Sequence, residues 1–185
     1  MVNTHRITIG GLARDLPIVP VDPEIAIAFL KLYGDLPLVD AATDELAARL
    51  DPSTEVIVGP ETGGILLAHK LAEKTGRPYA VVRKRVRPNM TSPLTVPVQT
   101  IGTATAQQLV LGDDDAAVIR GRAVAVVDEV VSSGGTLVAL GRLMHEAGAH
   151  VVQTLAVATE GDRRLDVVAL CHLPVFPRAG AAARP

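Results

Sequence analysis

Residues Ala123 to Thr136 read AVAVVDEVVSSGGT. Ala123 to Val127 is a short apolar run, mostly β-branched, that ends abruptly in Asp128 and Glu129. Such a run predicts a strand buried on both faces, with its C-terminal end at a polar site. Val130 and Val131 come next, then Ser132-Ser133-Gly134-Gly135-Thr136, then Leu137, Leu140, Leu143, Met144 and Ala147 at helical spacing. The order is strand, acid pair, small-residue loop, helix.

That order has a physical use. Glycines let the backbone approach a ligand closely, hydroxyls donate hydrogen bonds, and the free N–H groups and dipole of the following helix favour an anion such as a phosphate. Two carboxylates just upstream would repel the phosphate, yet they can bond sugar hydroxyls and stabilise positive charge developing on a sugar ring. The implied ligand is a phosphate and a ribose diol, about a ribose apart. A plainer reading stands beside it: strand-end charges, with Ser132 or Ser133 as an ordinary helix cap. Other nucleotide motifs fit less well. Gly59 to Gly64 has the Walker spacing of glycines, but Ile65 and Leu66 stand where Lys and Ser/Thr are required. No G-x-G-x-x-G follows any expected strand.

VVDEVVSSGGT resembles the phosphoribosyl pyrophosphate (PRPP) motif of the type I phosphoribosyltransferases: an apolar strand, two acids, two apolar residues and a small-residue loop ending in Gly-Thr. Glu129 stands where the second acid is often Asp. Within that family the chain is most similar to the adenine phosphoribosyltransferases and related purine enzymes. Several expectations further along the chain come from this resemblance.

The 185 residues are 48% apolar and carry a formal net charge of −2, which fits one compact α/β domain over 1–178 and offers no basic excess for nucleic acid. The last residues, 179–185, read as a disordered tail. A lone cysteine, Cys171, excludes an internal disulfide framework and reads as a small apolar residue. No signal core or membrane-length apolar run occurs, so the expectation is a soluble, cytoplasmic protein with no membrane partner. The histidines show no metal-ligand spacing, and no protein metal site is expected.

The opening segment predicts a strand around Arg6 to Ile9, a Gly10-Gly11 turn and an extended Leu16 to Pro20. A helix from Pro23 to about Leu32, capped by Asp22, is expected next, then a second from about Leu38 to Leu50. The resemblance implies base contacts from Leu16, Ile18 and Val19, for which core packing is the alternative.

Glu55 to Gly59 reads as a strand leading into Pro60-Glu61-Thr62-Gly63-Gly64 and a helix stopped at Gly76. Loops at the C-terminal ends of parallel strands are where such sheets bind ligands. By resemblance, Glu61, Thr62, Gly63 and Gly64 form the pyrophosphate loop. In the adenine enzymes that loop reads Glu-Ala-Arg-Gly-Phe or a close variant, so Gly63 replaces a common basic residue and one cationic contact is lost. Tyr79 to Val82 is a third strand, ending in Arg83-Lys84-Arg85-Val86-Arg87. Arg83-Lys84 matches the family's Arg-Lys pair and is expected at the pyrophosphate; Arg85 and Arg87 are candidates for reaching a neighbouring subunit.

Val96 to Thr100 and Gln107 to Leu111 read as a hairpin flap with residues 101–106 at its tip, a cover that would keep water from a cationic transition state. The family's flap carries a Glu shortly after Gly102-Thr103; here Gln107 and Gln108 stand instead, and Gln cannot accept a proton as a base. Asp113 to Ile119 reads as a link, Val151 to Ala158 and Val167 to Leu170 as strands, and Thr159 to Arg164 as a charged turn.

Alternating strands and helices predict an open, mainly parallel twisted α/β sheet, helix-covered on both faces, with a flexible flap. The resemblance implies transfer of the 5-phosphoribosyl group of PRPP to a nucleobase, adenine favoured, by a homodimer with Mg²⁺ bound mainly through PRPP. Ser132, Ser133, Gly134, Gly135 and Thr136 would anchor the 5-phosphate, and Asp128 and Glu129 the ribose. The rival class is a PRPP- or nucleotide-binding regulator that keeps the fold without turnover.

Overall fold

A computed structural model of the chain describes residues 3–98 and 107–178. The expected flap tip and the tail 179–185 lie outside the described residues. The elements in order are β1 (Thr4–Ile9), β2 (Leu12–Pro20), β3 (Ile25–Ala28), α1 (Leu36–Ala47), β4 (Val56–Pro60), α2 (Gly63–Thr75), β5 (Tyr79–Arg83), β6 (Leu94–Val98), β7 (Gln107–Leu111), α3 (Asp113–Ile119), β8 (Ala123–Val131), α4 (Gly135–Glu146), β9 (His150–Glu160), β10 (Val168–Leu173) and β11 (Val175–Pro177).

Seven strands form the main sheet in the order β10-β9-β8-β4-β5-β7-β6. β10, β9, β8, β4 and β5 run parallel, while β7 and β6 add an antiparallel edge. This is the expected sheet, and β6–β7 is the expected flap hairpin, pairing Val98 with Gln107 at its far end.

The central strands are buried on both sides because each face has its own helices. Ile57 and Val127 pack with Leu38, Leu46, Leu67 and Leu71 of α1 and α2. Val56, Val58, Val124 and Val126 pack with Ile119 of α3 and Leu140, Leu143 and Met144 of α4. Each such Val, Leu or Ile taken fully out of water contributes about 1.5–3 kcal/mol, which explains the near-continuous apolar runs in β4 and β8.

In a second, four-stranded sheet, β1-β2-β3-β11, the β1–β2 pair matches the expected strand, Gly10-Gly11 turn and extended segment, while β3 and β11 were not legible in the sequence. Its core strand replaces the expected helix from Pro23 to Leu32. Asp22 does not cap a helix; its Oδ1 accepts from the backbone N–H groups of Glu24 (2.7 Å) and Ile25 (2.6 Å), closing a turn. Ile25-Ala26-Ile27-Ala28 then alternates in burial as a strand, pairing antiparallel with Ile18 to Pro20 on one side and Val175 to Pro177 on the other. The period of two outweighs the helical start signal.

Two further boundaries differ. Asp113 to Ile119 is a helix, with three acids in its first turn favoured by the helix dipole and Ala116 and Ile119 buried three residues apart. β8 runs past Val127 to Val131, because β9 continues beside it through Thr159. Cys171 behaves as an apolar residue: its thiol donates to Val157 O at 3.4 Å and burial pushes its pKa up to about 11. No helix among the described residues is long and apolar enough to cross a membrane.

The small sheet is fastened to the main one at Asp35. Its carboxylate accepts from Arg14 Nε (2.6 Å) and Nη2 (2.8 Å) of β2 and from Leu38 N (3.2 Å) at the start of α1. Asp35→Ala is therefore expected to lower stability by about 1–2 kcal/mol, and Asp35→Asn, which keeps a capping oxygen, by less; denaturant titration of both variants checks the order.

Candidate functional site

Three parallel strands end side by side at one edge of the main sheet. β4 leads into Glu61-Thr62-Gly63-Gly64, β5 into Lys84, and β8 carries Asp128 and Glu129 into Ser132 to Thr136. Between them lies a cleft of about 350 Å³ lined by Glu61, Thr62, Gly63, Lys84, Asp128, Glu129, Val130 and Thr136. Val98, Gln107, Gln108 and Leu109 of the flap hairpin close its side. Glu61, Thr62, Gly63, Lys84, Asp128, Glu129 and Thr136, all singled out from sequence, thus meet in one place.

The two acids are held differently. Val126 packs on the α3/α4 face and Val127 on the α1/α2 face, so the alternation of a strand sends Asp128 and Glu129 to opposite sides. Asp128 is partly buried; its Oδ1 accepts from the Glu129 backbone N–H at 2.8 Å. Burial raises its pKa to about 6, the Glu129 N–H opposes the rise, the Glu129 charge adds to it and Lys84 opposes it. Glu129 is also raised by burial, against a backbone hydrogen bond that its Oε1 accepts from Leu32 N at 2.9 Å.

Glu129 explains the missing cation at position 63. A Cβ on Gly63 would stand 2.6 Å from Glu129 Cβ and 3.0 Å from its carboxyl carbon, so the space a side chain would take is filled by Glu129. Glu61 has a supporting role: its Oε2 accepts from Lys84 N at 3.0 Å, and its Oε1 lies 3.5 Å from Arg87 Nη2. The peptide bond between Glu61 and Thr62 is cis.

The loop Ser132 to Thr136 enters α4 with no side-chain cap: the N-cap is Gly134 at φ 83°, and Ser132 and Ser133 are exposed. The plain reading of either serine as a helix cap does not hold, and among the described residues no side chain caps the first turn of α4. Arg164 seals the outside of the loop. Its Nη1 donates to Ser133 O at 3.1 Å, and a Cβ on Gly134 would stand 2.6 Å from its Cζ.

Arg83, Leu16, Ile18 and Val19 lie elsewhere, and Ser132 and Ser133 line a separate cleft. Arg83, the last residue of β5, lines a separate cavity with Arg87 and Asp113 to Asp115. Leu16 is buried in the core, and Ile18 and Val19 pair with Ala28 and Ile27 in the small sheet; none of the three lines the cleft. Two residues near the site were missed. Tyr33 follows Leu32 and is 41% exposed; burial and the charges of Glu129, Asp128 and Glu61 raise its pKa. Its signal was an aromatic in a chain that is 2% aromatic. Arg164 was hidden in a turn read only as charged.

Among the described residues no group of three or more His, Cys, Asp or Glu side chains is placed to hold a metal ion. Asp128 and Glu129 each have one carboxylate oxygen accepting a backbone N–H and keep the other for a ligand.

Residues 32–172 match the phosphoribosyl transferase domain family. The chain belongs to that family. Among curated relatives, an orotate phosphoribosyltransferase of Methanopyrus kandleri is 33% identical over 120 residues, 65% of this chain and 54% of its own length. An adenine phosphoribosyltransferase of Clostridium botulinum is 32% identical over 151 residues, 77% of this chain and 82% of its own. The chain thus spans little more than half of the orotate relative. Among solved structures, adenine phosphoribosyltransferase from Thermoanaerobacter pseudethanolicus superposes with a TM-score of 0.66 at 20% identity, covering 92% of this chain and 95% of that one. This likeness shows that the phosphoribosyl transferase fold, anticipated from one motif, extends over most of the chain.

The raised pKa of Asp128 yields a stability prediction with a definite sign. Its proton is held more tightly folded than unfolded, so its favourable contribution is complete below the ordinary value of 3.8 and is lost as pH rises through about 6. Asp128→Asn should therefore be more stable than the parent at pH 7.5, by roughly 2–3 kcal/mol, with the difference vanishing at pH 3.5. Urea unfolding at the two pH values measures it.

Proposed function

We propose that the protein transfers the 5-phosphoribosyl group of PRPP to a purine base, adenine favoured, releasing pyrophosphate and a nucleoside monophosphate. The single observation that carries this reading is the cleft in which the acids of β8, the loop after β4 and Lys84 after β5 converge on Thr136 and the phosphate loop.

In this reading the backbone N–H groups and hydroxyls of Ser132 to Thr136 take the 5-phosphate. Asp128 holds the ribose hydroxyls, and its charge, present above pH 6, stabilises the oxocarbenium-like transition state. Glu129, tied to Leu32 and packed on Gly63, keeps the ring and pyrophosphate loop in register and adds its charge. Lys84 and the loop Glu61 to Gly64 receive the leaving pyrophosphate as the C1–O bond breaks and the C1–N bond forms, the proton of the base nitrogen passing to solvent. Mg²⁺ would enter on PRPP, with Asp128 as a protein contact, and would offset the pyrophosphate charge. Val98 and Gln107 to Leu109 would bring the flap over the ribose and exclude water. The reading includes a cytoplasmic homodimer.

A second reading, a PRPP-binding regulator without turnover, is favoured by two observations: Gln107 and Gln108 bring no carboxylate to the cleft, and Gly63 brings no cation. Pyrophosphate release on incubation with PRPP, Mg²⁺ and adenine, guanine, hypoxanthine or xanthine separates the two. Release with adenine supports transfer; tight PRPP binding without release for any base supports the regulator.

Asp128→Asn combined with Glu129→Gln should lower kcat/KM or PRPP affinity at least tenfold, about 1.4 kcal/mol or more. An unaltered double variant removes the acids from the site. Calorimetry should detect Mg²⁺ uptake only when PRPP is present.

A further inference from the structure

Ser132 and Ser133 also line a second cleft, of about 510 Å³, on the other side of the phosphate loop. Its remaining walls come from Glu160 at the end of β9, the turn through Arg164 and Leu165, and Val175 of β11. Leu165 is fully exposed and Val175 41% exposed, so the cleft presents apolar surface of the kind a flat ring covers.

Displacement at C1 of a ribose requires the incoming atom to approach opposite the leaving group. If β8 holds the ribose and the loops of β4 and β5 hold the pyrophosphate, the base must arrive from the β9 side, because the strand order is β10-β9-β8-β4-β5. The second cleft opens there. Val131 of β8 pairs with Thr159 of β9, which sets Glu160 beside Ser132.

Glu160 stands unused in this cleft. Arg164 is already occupied, donating to Asp166 Oδ1 (3.0 Å), Asp166 Oδ2 (2.6 Å) and Ser133 O (3.1 Å). The Glu160 carboxylate has no hydrogen-bond or ion-pair partner among the described residues, and burial alone acts on it, raising its pKa.

We propose that Glu160 is a specificity-determining residue whose carboxylate accepts a hydrogen bond from the exocyclic 6-amino group of the base. This rests on the phosphoribosyl-transfer reading and names the residue that would choose among bases. An ionised carboxylate only accepts hydrogen bonds. It therefore pairs with a 6-amino purine and meets the oxygen of a 6-oxo purine acceptor to acceptor, which makes it a rejecting element as well as an attracting one.

The test is calorimetric titration of the protein and of Glu160→Gln and Glu160→Lys with AMP, IMP and ribose 5-phosphate. The parent protein should bind AMP at least tenfold more tightly than IMP. Glu160→Gln, nearly isosteric and able to donate or accept, should bring the two within threefold, and Glu160→Lys should reverse the order. Ribose 5-phosphate, which lacks a base, should bind all three within twofold. An AMP-to-IMP ratio near one in the parent, a ratio unchanged in Glu160→Gln, or an equal loss of all three ligands in the variants would overturn the assignment. Binding of ribose 5-phosphate with no such ratio overturns the Glu160 role alone; no binding of any of the three by the parent protein removes the phosphoribosyl site as well.

Discussion

The parallel pairing of β8 with β4 on one side and β9 on the other is the constraint from which the site follows. Val56 to Val58 pair with Val124 to Val126, and the β9 ladder continues to Val131. This carries Asp128 and Glu129 beyond the packed core while keeping their backbone in the sheet. Two adjacent carboxylates repel each other and cost free energy to bury, so their placement depends on rigid backbone donors nearby. The Glu129 N–H serves Asp128 and the Leu32 N–H serves Glu129.

Glu129 links three parts that the chain order separates. Leu32 precedes α1, Gly63 opens α2, and Glu129 closes on both. Seen as sequence, Gly63 and Glu129 are two unrelated departures from the adenine-type pattern. In space they are one arrangement, since the carboxylate side chain occupies the volume over the glycine. The same close fit recurs at Gly134, where the Arg164 guanidinium lies against the backbone of the loop Ser132 to Thr136 and is itself held by Asp166.

Much of this was legible beforehand, for identifiable reasons. β4, β8 and α4 carry strong periodic apolar patterns bounded by glycine and acids, and a strand, acid pair, loop and helix in that order has little alternative use. The segment from Val21 to Ala28 misled because Asp-Pro is a good helix start locally; tertiary pairing with β2 and β11 supplied more than the local signal could. Arg83 and Lys84 look equivalent as neighbours in a basic run. The strand ends between them, and only Lys84 reaches the cleft.

The sequence by itself determined the sheet's interior strands, the loop with its acids and the family, because each is written in contiguous residues whose chemistry acts over short range. The tertiary structure alone decided which acid is tied to which N–H, which cation faces the cleft, how the small sheet closes on the large one and where Glu160 stands. Those depend on contacts between residues as far apart as Leu32 and Glu129, set by packing and register that no local pattern encodes.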